Sequence, residues 1–223
     1  MTVIGTATSS RRSRPNVRGR AGYRSRQEQQ KEDSRARILE AAKAMVATHP
    51  YAVLAVEDII AEAGVSRTTF YRHFDSKFSI FKELHKPFIQ LLYAVYDDLG
   101  QIPDPSVEQL CGWIDGFLDF YRANEVLVRA YAAIYAVEPD FYPIAEAVTD
   151  TIFRRLAKTL PAFERVLWDH PDAMTARIEA HFLLQDVNNL GIEVVTRHWK
   201  LDTAAATVFM AKRLRSFIST YRS

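Results

Sequence analysis

The chain has a single cysteine, Cys111, so it can form no intramolecular disulfide, no multi-cysteine zinc cluster and no CxxC redox pair. Its 8 glycines and 9 prolines are few for 223 residues, which excludes collagen-like and Pro/Gly-rich low-complexity classes. No apolar run reaches about 18 residues, so neither a membrane-spanning helix nor a membrane partner is expected. The first residues are Thr-, Ser- and Arg-rich and lack the apolar core of a signal peptide, which makes a soluble cytoplasmic protein the expectation. What is present suits a globular core, since 48% of the residues are hydrophobic against 25% charged.

Motifs for chemistry are absent as well. There is no HExxH, no G-x-S-x-G, no GxxxxGK[ST] and no Glu-x-x-His pair of the kind that holds iron in helical bundles. Asp169-His170-Pro171-Asp172 reads better as a loop between helices than as a metal cluster. Gly112 and Gly116 form a GxxxG more consistent with close helix packing than with a membrane. No catalytic residue, cofactor or metal site is expected.

The net charge of +2 hides an asymmetry. Residues 1–37 carry nine Arg and one Lys against Glu28, Glu32 and Asp33, a net +7, so the remainder is mildly acidic. Seven arginines fall between Arg11 and Arg26 with no acid among them. Residues 1–32 therefore read as a disordered basic arm, able to track polyanions or simply to stay solvated.

Helical periodicity begins near Asp33 or Ser34, either of which can cap a helix, and runs through Ile38, Leu39, Ala42, Met45 and Val46 to His49-Pro50. A short helix over Val56–Ala63 ends at Gly64. Ser66 caps another, with Phe70 and Phe74 facing inward. A long helix from Asp75 or Ser76 reaches Leu99-Gly100, with a kink or break expected at Pro87. Further helical patterns cover about 106–123, 125–138, 140–160, 173–199 and 203–221. No stretch alternates as a strand would. The fold class is all-α: a helix-turn-helix unit over 33–80, then a larger helical domain over 81–223.

Residues 56–77, VEDIIAEAGVSRTTFYRHFDSK, carry the functional signal. A short helix, a Gly-containing turn and a second capped helix form the helix-turn-helix pattern, whose second helix can enter a major groove. On the helical wheel Phe70 and Phe74 point one way, while Thr68, Thr69 and Arg72 point the other. A helical hairpin with a merely solvated polar face fits the pattern too. The wording AGVSRTTFYRHFDSK, however, resembles the DNA-binding segment of the TetR family of bacterial transcriptional regulators.

That resemblance implies roles position by position. Arg67, Thr68, Thr69 and Arg72 would face base edges of an operator in double-stranded DNA. Tyr71, His73 and Lys77 would grip phosphates, and Ser66 would cap the recognition helix. The chain departs from the family where Ala55-Val56 replaces a Thr that often caps the second helix, and where Thr68 replaces a common Gly. The resemblance also implies a homodimer paired through the last two helical segments. Their apolar positions are Ile178, Phe182, Val187, Leu190 and Val194, then Ala204, Val208, Ala211, Leu214, Phe217 and Tyr221.

Aromatics recur at helical spacing in the larger domain, which ordinarily marks a core. With the family resemblance, Trp113, Phe117, Phe120, Tyr121, Tyr131 and Tyr135 become candidates to line a pocket for a small hydrophobic effector, with Asn188 supplying polarity. The resulting expectation is a ligand-responsive regulator, usually a repressor, released from a palindromic operator. The alternative is a helical small-molecule-binding protein or enzyme whose N-terminal unit does not bind DNA.

Overall fold

A computed structural model describes residues 17–196 and 202–222. Among these residues there are ten α-helices, two short 3₁₀ turns and no strand. The helices are α1 (Val17–Thr48), α2 (Val56–Ala63), α3 (Arg67–His73), α4 (Lys77–Gly100), α5 (Val107–Ala123), α6 (Glu125–Val137), α7 (Tyr142–Leu156), α8 (Pro161–Val166), α9 (Pro171–Thr196) and α10 (Thr203–Thr220).

Three departures from the sequence expectations have local causes. Helix α1 begins at Val17, so residues 17–32, expected within a disordered arm, are helical; residues 1–16 lie outside the described residues. Ser25 to Asp33 contain no β-branched residue, Gly or Pro, and Gln, Glu, Lys and Arg extend a helix that is already nucleated by the packed half at Ile38, Ala42 and Val46. Ser34 is therefore not a cap; it sits inside α1 and its Oγ donates to the Lys31 carbonyl at 2.9 Å. Pro87 does not break α4, which is continuous from Lys77 to Gly100. The six-residue helix α8 lies outside the helical patterns of the sequence, since one and a half turns carry too few positions to establish a period.

The turn chemistry follows the sequence closely. Gly64 closes α2 at φ 58°, a left-handed conformation that costs a residue with a Cβ about 1–2 kcal/mol. Ala55 offers no side-chain cap to α2. Its own N–H donates to the Asp58 carboxylate at 3.1 Å, which is one half of a capping box, while the side-chain acceptor that a Thr would offer the first helical amides is missing.

Two apolar cores form. The first joins α1, α2, α3 and the start of α4 through Ile38, Ala42, Ile59, Phe70 and Phe81, and is completed by Ala130, Ile134 and Phe141 from α6 and the turn after it. The second runs from Phe88 and Leu99 on α4 through Leu110 and Phe117 on α5 to Phe163, Leu184 and Phe217. Helix α4 thus serves both cores. Tyr51, fully buried in the 3₁₀ turn between α1 and α2, donates its hydroxyl to Glu138 at 2.5 Å, and so ties the N-terminal unit to the end of α6.

Candidate nucleic-acid interface and effector cavity

Helix α3 is held at its start by Ser66, whose Oγ accepts from the Thr69 N–H at 3.1 Å. The same hydroxyl donates to Thr69 Oγ1 at 2.9 Å. Phe70 is fully buried, and burying such a ring contributes about 1.5–3 kcal/mol to fixing the helix on α1 and α2. This anchoring turns Arg67, Thr68, Tyr71 and Arg72 outward, and all four are exposed. Thr69 is half-buried and its hydroxyl is engaged with Ser66. Arg67 pairs with Glu57 at 2.9 Å on the surface and lies 5.5 Å from the Tyr71 ring centroid. An exposed pair of this kind is worth little, so it can be exchanged for another anion.

Two residues expected at phosphates have other partners. Lys77 Nζ donates to the carbonyls of Tyr51 at 3.0 Å and Leu54 at 3.1 Å, and lies 4.4 Å from the Tyr51 ring centroid. It bolts the start of α4 to the turn before α2. His73 Nε2 lies 2.8 Å from Ser34 Oγ. Because that hydroxyl already donates to Lys31 O, the ring nitrogen is the donor, and the contact locks the end of α3 to α1. Burial holds the His73 pKa below the usual histidine value, helped by the nearby cations Arg72, Lys31 and Arg35. Both residues position the helix, and neither role was readable locally, because the partners lie 23 to 39 residues away.

Beside α3 opens a cleft of about 520 Å³ bounded by Arg35, Arg72, His73, Lys82 and Lys86, with Asp75 and Glu83 among its walls. Arg35 crosses from α1 to Glu83 at 2.8 Å, and Lys86 meets the same carboxylate at 2.6 Å. Sequence reasoning missed Arg35, Lys82 and Lys86. Only the packing of α1 against α4 brings them beside the recognition helix.

The aromatic candidates separate into three groups. Trp113 and Phe117 are core: the Trp113 indole donates to Val95 O at 2.8 Å, and Phe117 stacks on Tyr121 with centroids 4.4 Å apart. Phe120 is half-buried against Phe88, and Tyr135 is an exposed ring packed beside Tyr142. Tyr121, Tyr131 and Asn188 instead line a cavity of about 40 Å³ with Tyr96, Gln185 and apolar neighbours from α4, α7 and α9. The Tyr121 hydroxyl donates to Asn188 Oδ1. Gly191 makes this possible, since a Cβ there would stand 2.5 Å from the Tyr121 ring. The missed lining residues Tyr96 and Gln185 sit on helices whose facing no local pattern specified.

Helices α9 and α10 carry another surface. Phe182 and Phe209 are each 60% exposed, alongside Met174, Ile178 and Val208. Phe217, by contrast, is fully buried between Phe163 and Tyr221, so it belongs to the intradomain core and to no outer face. Val187, Ala211 and Leu214 are buried with it.

Sequence comparison bears on the capped helix-turn-helix unit, and structural comparison on the all-α fold as a whole. Residues 38–84 match the family described as bacterial regulatory proteins, tetR family. The match covers the helix-turn-helix unit, from the packed part of α1 through the start of α4. Among curated relatives, the chain is 27% identical over 111 residues to the HTH-type transcriptional regulator EthR of Mycolicibacterium smegmatis, covering 49% of this chain and 51% of that protein. It is 35% identical over 99 residues to the HTH-type transcriptional repressor SCO4008 of Streptomyces coelicolor, covering 44% of this chain and 47% of that one. It is 31% identical over 110 residues to the HTH-type transcriptional repressor KstR2 of Mycobacterium tuberculosis, covering 48% and 55%. The matched region spans about half the length of each of these relatives. In fold, the chain is similar to a transcriptional regulator (TerR/AcrR family) from Aquifex aeolicus, with a TM-score of 0.50 at 18% identity over 84% of this chain and 98% of the other. It is also similar to a TetR-family regulator from Mesorhizobium loti, with a TM-score of 0.53 at 17% identity over 86% and 98%. No helix among the described residues is long and apolar enough to cross a membrane.

Proposed function

We propose that the chain is a sequence-specific DNA-binding transcriptional regulator, a cytoplasmic homodimer that represses from a palindromic operator and is released by a small, largely apolar effector. The observation that carries this reading is the exposed edge of α3. Arg67, Thr68, Tyr71 and Arg72 project from a recognition helix fixed by Ser66 and Phe70, within the segment that matches the family. Arg67 and Thr68 sit in its first turn, where side chains reach base edges, and Arg72 lies one turn on. Arg35, Lys82 and Lys86 flank the helix with positive charge suited to phosphates. The basic N-terminal arm adds charge whose effect depends on salt.

Dimerisation is supported by the exposed apolar side chains of Met174, Ile178, Phe182 and Phe209 on the last two helices, since clustered exposed apolar residues commonly mark a protein–protein contact. An effector in the cavity between α4, α6, α7 and α9 would move the equilibrium only through different affinities for the DNA-bound and free arrangements. The relatives named repressors support the sign of regulation. The test is selection of bound sequences from a random duplex pool. Enrichment of one palindrome with two half-sites is the expected result; no enrichment, or binding indifferent to sequence, refutes the reading.

A further inference from the structure

We infer that the effector carries an uncharged hydrogen-bond-accepting head, a carbonyl or carboxamide, seated among Tyr96, Tyr131 and Asn188, with an apolar tail running out between α7 and α9. The inference rests on the reading of the chain as an effector-released regulator. Its first support is the cavity lining, which contains no Asp, Glu, Lys, Arg or His. An ionised head buried there would lose its hydration without a counter-charge, a cost that favours exclusion of acids and amines. Arg122 at the end of α5 and Arg129 on α6 are committed elsewhere. Arg122 pairs with Asp119 at 2.7 Å, and Arg129 with Glu125 at 2.9 Å and the Val195 carbonyl at 2.6 Å.

The second support is the set of polar groups that face the cavity without partners. Tyr96 is 3% exposed, yet neither its hydroxyl nor that of Tyr131 has a hydrogen-bond partner among the described residues. Burial raises the pKa of both phenols, Tyr131 to about 12, so both remain O–H donors at neutral pH. Asn188 Oδ1 is occupied by the Tyr121 hydroxyl, which leaves the Asn188 amide N–H groups to donate as well. Gln185 adds a donor and an acceptor to the lining, so donors outnumber dedicated acceptors there, and donors that face a cavity without a protein partner favour an acceptor on the ligand.

Size supplies the tail. A cavity of about 40 Å³ holds roughly three waters at about 10–15 Å³ each, which is the space of a carboxamide group and no more. Thr149 lines this cavity and also a groove of about 500 Å³ whose apolar wall is Phe153, Ile178 and Phe182; the last two also belong to the face assigned to the dimer, so a second copy would border the tail. Helix α7 packs on α4 and α8, whereas α9 packs on α5, α6, α8 and α10, so the α7–α9 seam is the loosely held exit. A chain attached to the head would pass Thr149 into that groove.

The experiment titrates the full chain with octanamide, 2-nonanone, octanoate and octylamine, read by calorimetry and thermal shift. The amide and ketone should bind, with octanoate and octylamine at least about ten-fold weaker. The double variant Tyr96→Phe, Tyr131→Phe should lose about ten-fold in octanamide affinity while keeping the ligand-free melting temperature, because neither hydroxyl bonds the protein. Octanoate binding as tightly as octanamide, or an unchanged affinity in the double variant, overturns the inference. So does the failure of both carbonyl compounds to bind a chain that still selects its operator, an outcome that leaves the regulator reading standing. Octanamide binding in a chain that selects no operator faults the regulator reading alone. If Phe182→Ala weakens the dimer but leaves octanamide affinity untouched, the groove belongs to a second copy of the chain and the tail assignment falls.

Discussion

Replacing Lys77 by Met separates two roles that a basic residue beside a recognition helix can play. Methionine keeps most of the aliphatic stem and removes the ammonium. The ammonium donates to the carbonyls of Tyr51 and Leu54 at 3.0 and 3.1 Å, so the change removes two charge-assisted bonds. Each such bond is worth about 1.5–3 kcal/mol where water cannot replace it. Lys77 is half-buried and Tyr51 O also accepts from the Leu54 N–H, so water and backbone recover part of the loss. A net destabilisation of about 2 kcal/mol is expected, which corresponds to roughly 4–8 °C in Tm for a chain of this size. Thermal unfolding followed by circular dichroism measures it. Operator affinity measured across salt concentrations supplies the second readout. A phosphate contact would take about 0.9 from the slope of log K against log salt, whereas a positioning residue leaves the slope unchanged. A Met variant that melts with the wild type and loses about one unit of slope would refute the positioning role.

Other perturbations follow from the same geometry. Gly191→Ala gains about 0.5–1 kcal/mol of helix propensity but drives a methyl into the Tyr121 ring, and overpacking of that kind costs about 1–3 kcal/mol, so urea titration should find a net loss. A variant more stable than wild type would mean the ring moves freely. His85 is 2% exposed, its Nδ1 pairs with Phe81 O at 2.8 Å and its Nε2 has no hydrogen-bond partner among the described residues; burial holds its pKa below the usual histidine value. The folded chain therefore keeps His85 neutral while the unfolded chain takes up a proton below about pH 6.5, so stability is lost as pH falls below that point, by at most about 1.4 kcal/mol per pH unit from this residue. His73 adds to the loss in the same direction, and His85→Gln should flatten the profile measured by urea unfolding between pH 7.5 and 5.5. Phe209→Glu should shift sedimentation towards monomer and weaken operator binding, whereas Phe217→Ala should cost about 3–5 kcal/mol of fold stability, because the ring is part of the core. A Phe217→Ala variant of unchanged stability would place that ring outside the core.

The helix-turn-helix unit was legible in the sequence because its determinants close over a few residues. Ser66 reaches the Thr69 N–H, Asp58 reaches the Ala55 N–H, and Gly64 takes the left-handed turn alone. Such bonds depend on spacing along the chain, so the bounds of α2 and the capped start of α3 follow from residue order. The aromatic residues between Trp113 and Tyr142 announced a dense apolar region, but spacing could not say which rings would fill the core. That was decided when α9 came against α5 at Gly191, turning Tyr121 towards Asn188 and leaving Tyr135 at the surface. The same holds on α10, where packing against α5 buries Phe217 and exposes Phe209 eight residues earlier on another side of the helix. Lys77 and His73 look like phosphate ligands in one dimension because their types suit that role. Their partners at Tyr51, Leu54 and Ser34 come within reach only when α1, α3 and α4 pack, and a hydrogen bond weakens steeply beyond about 3.5 Å, so no reading of local order could assign them.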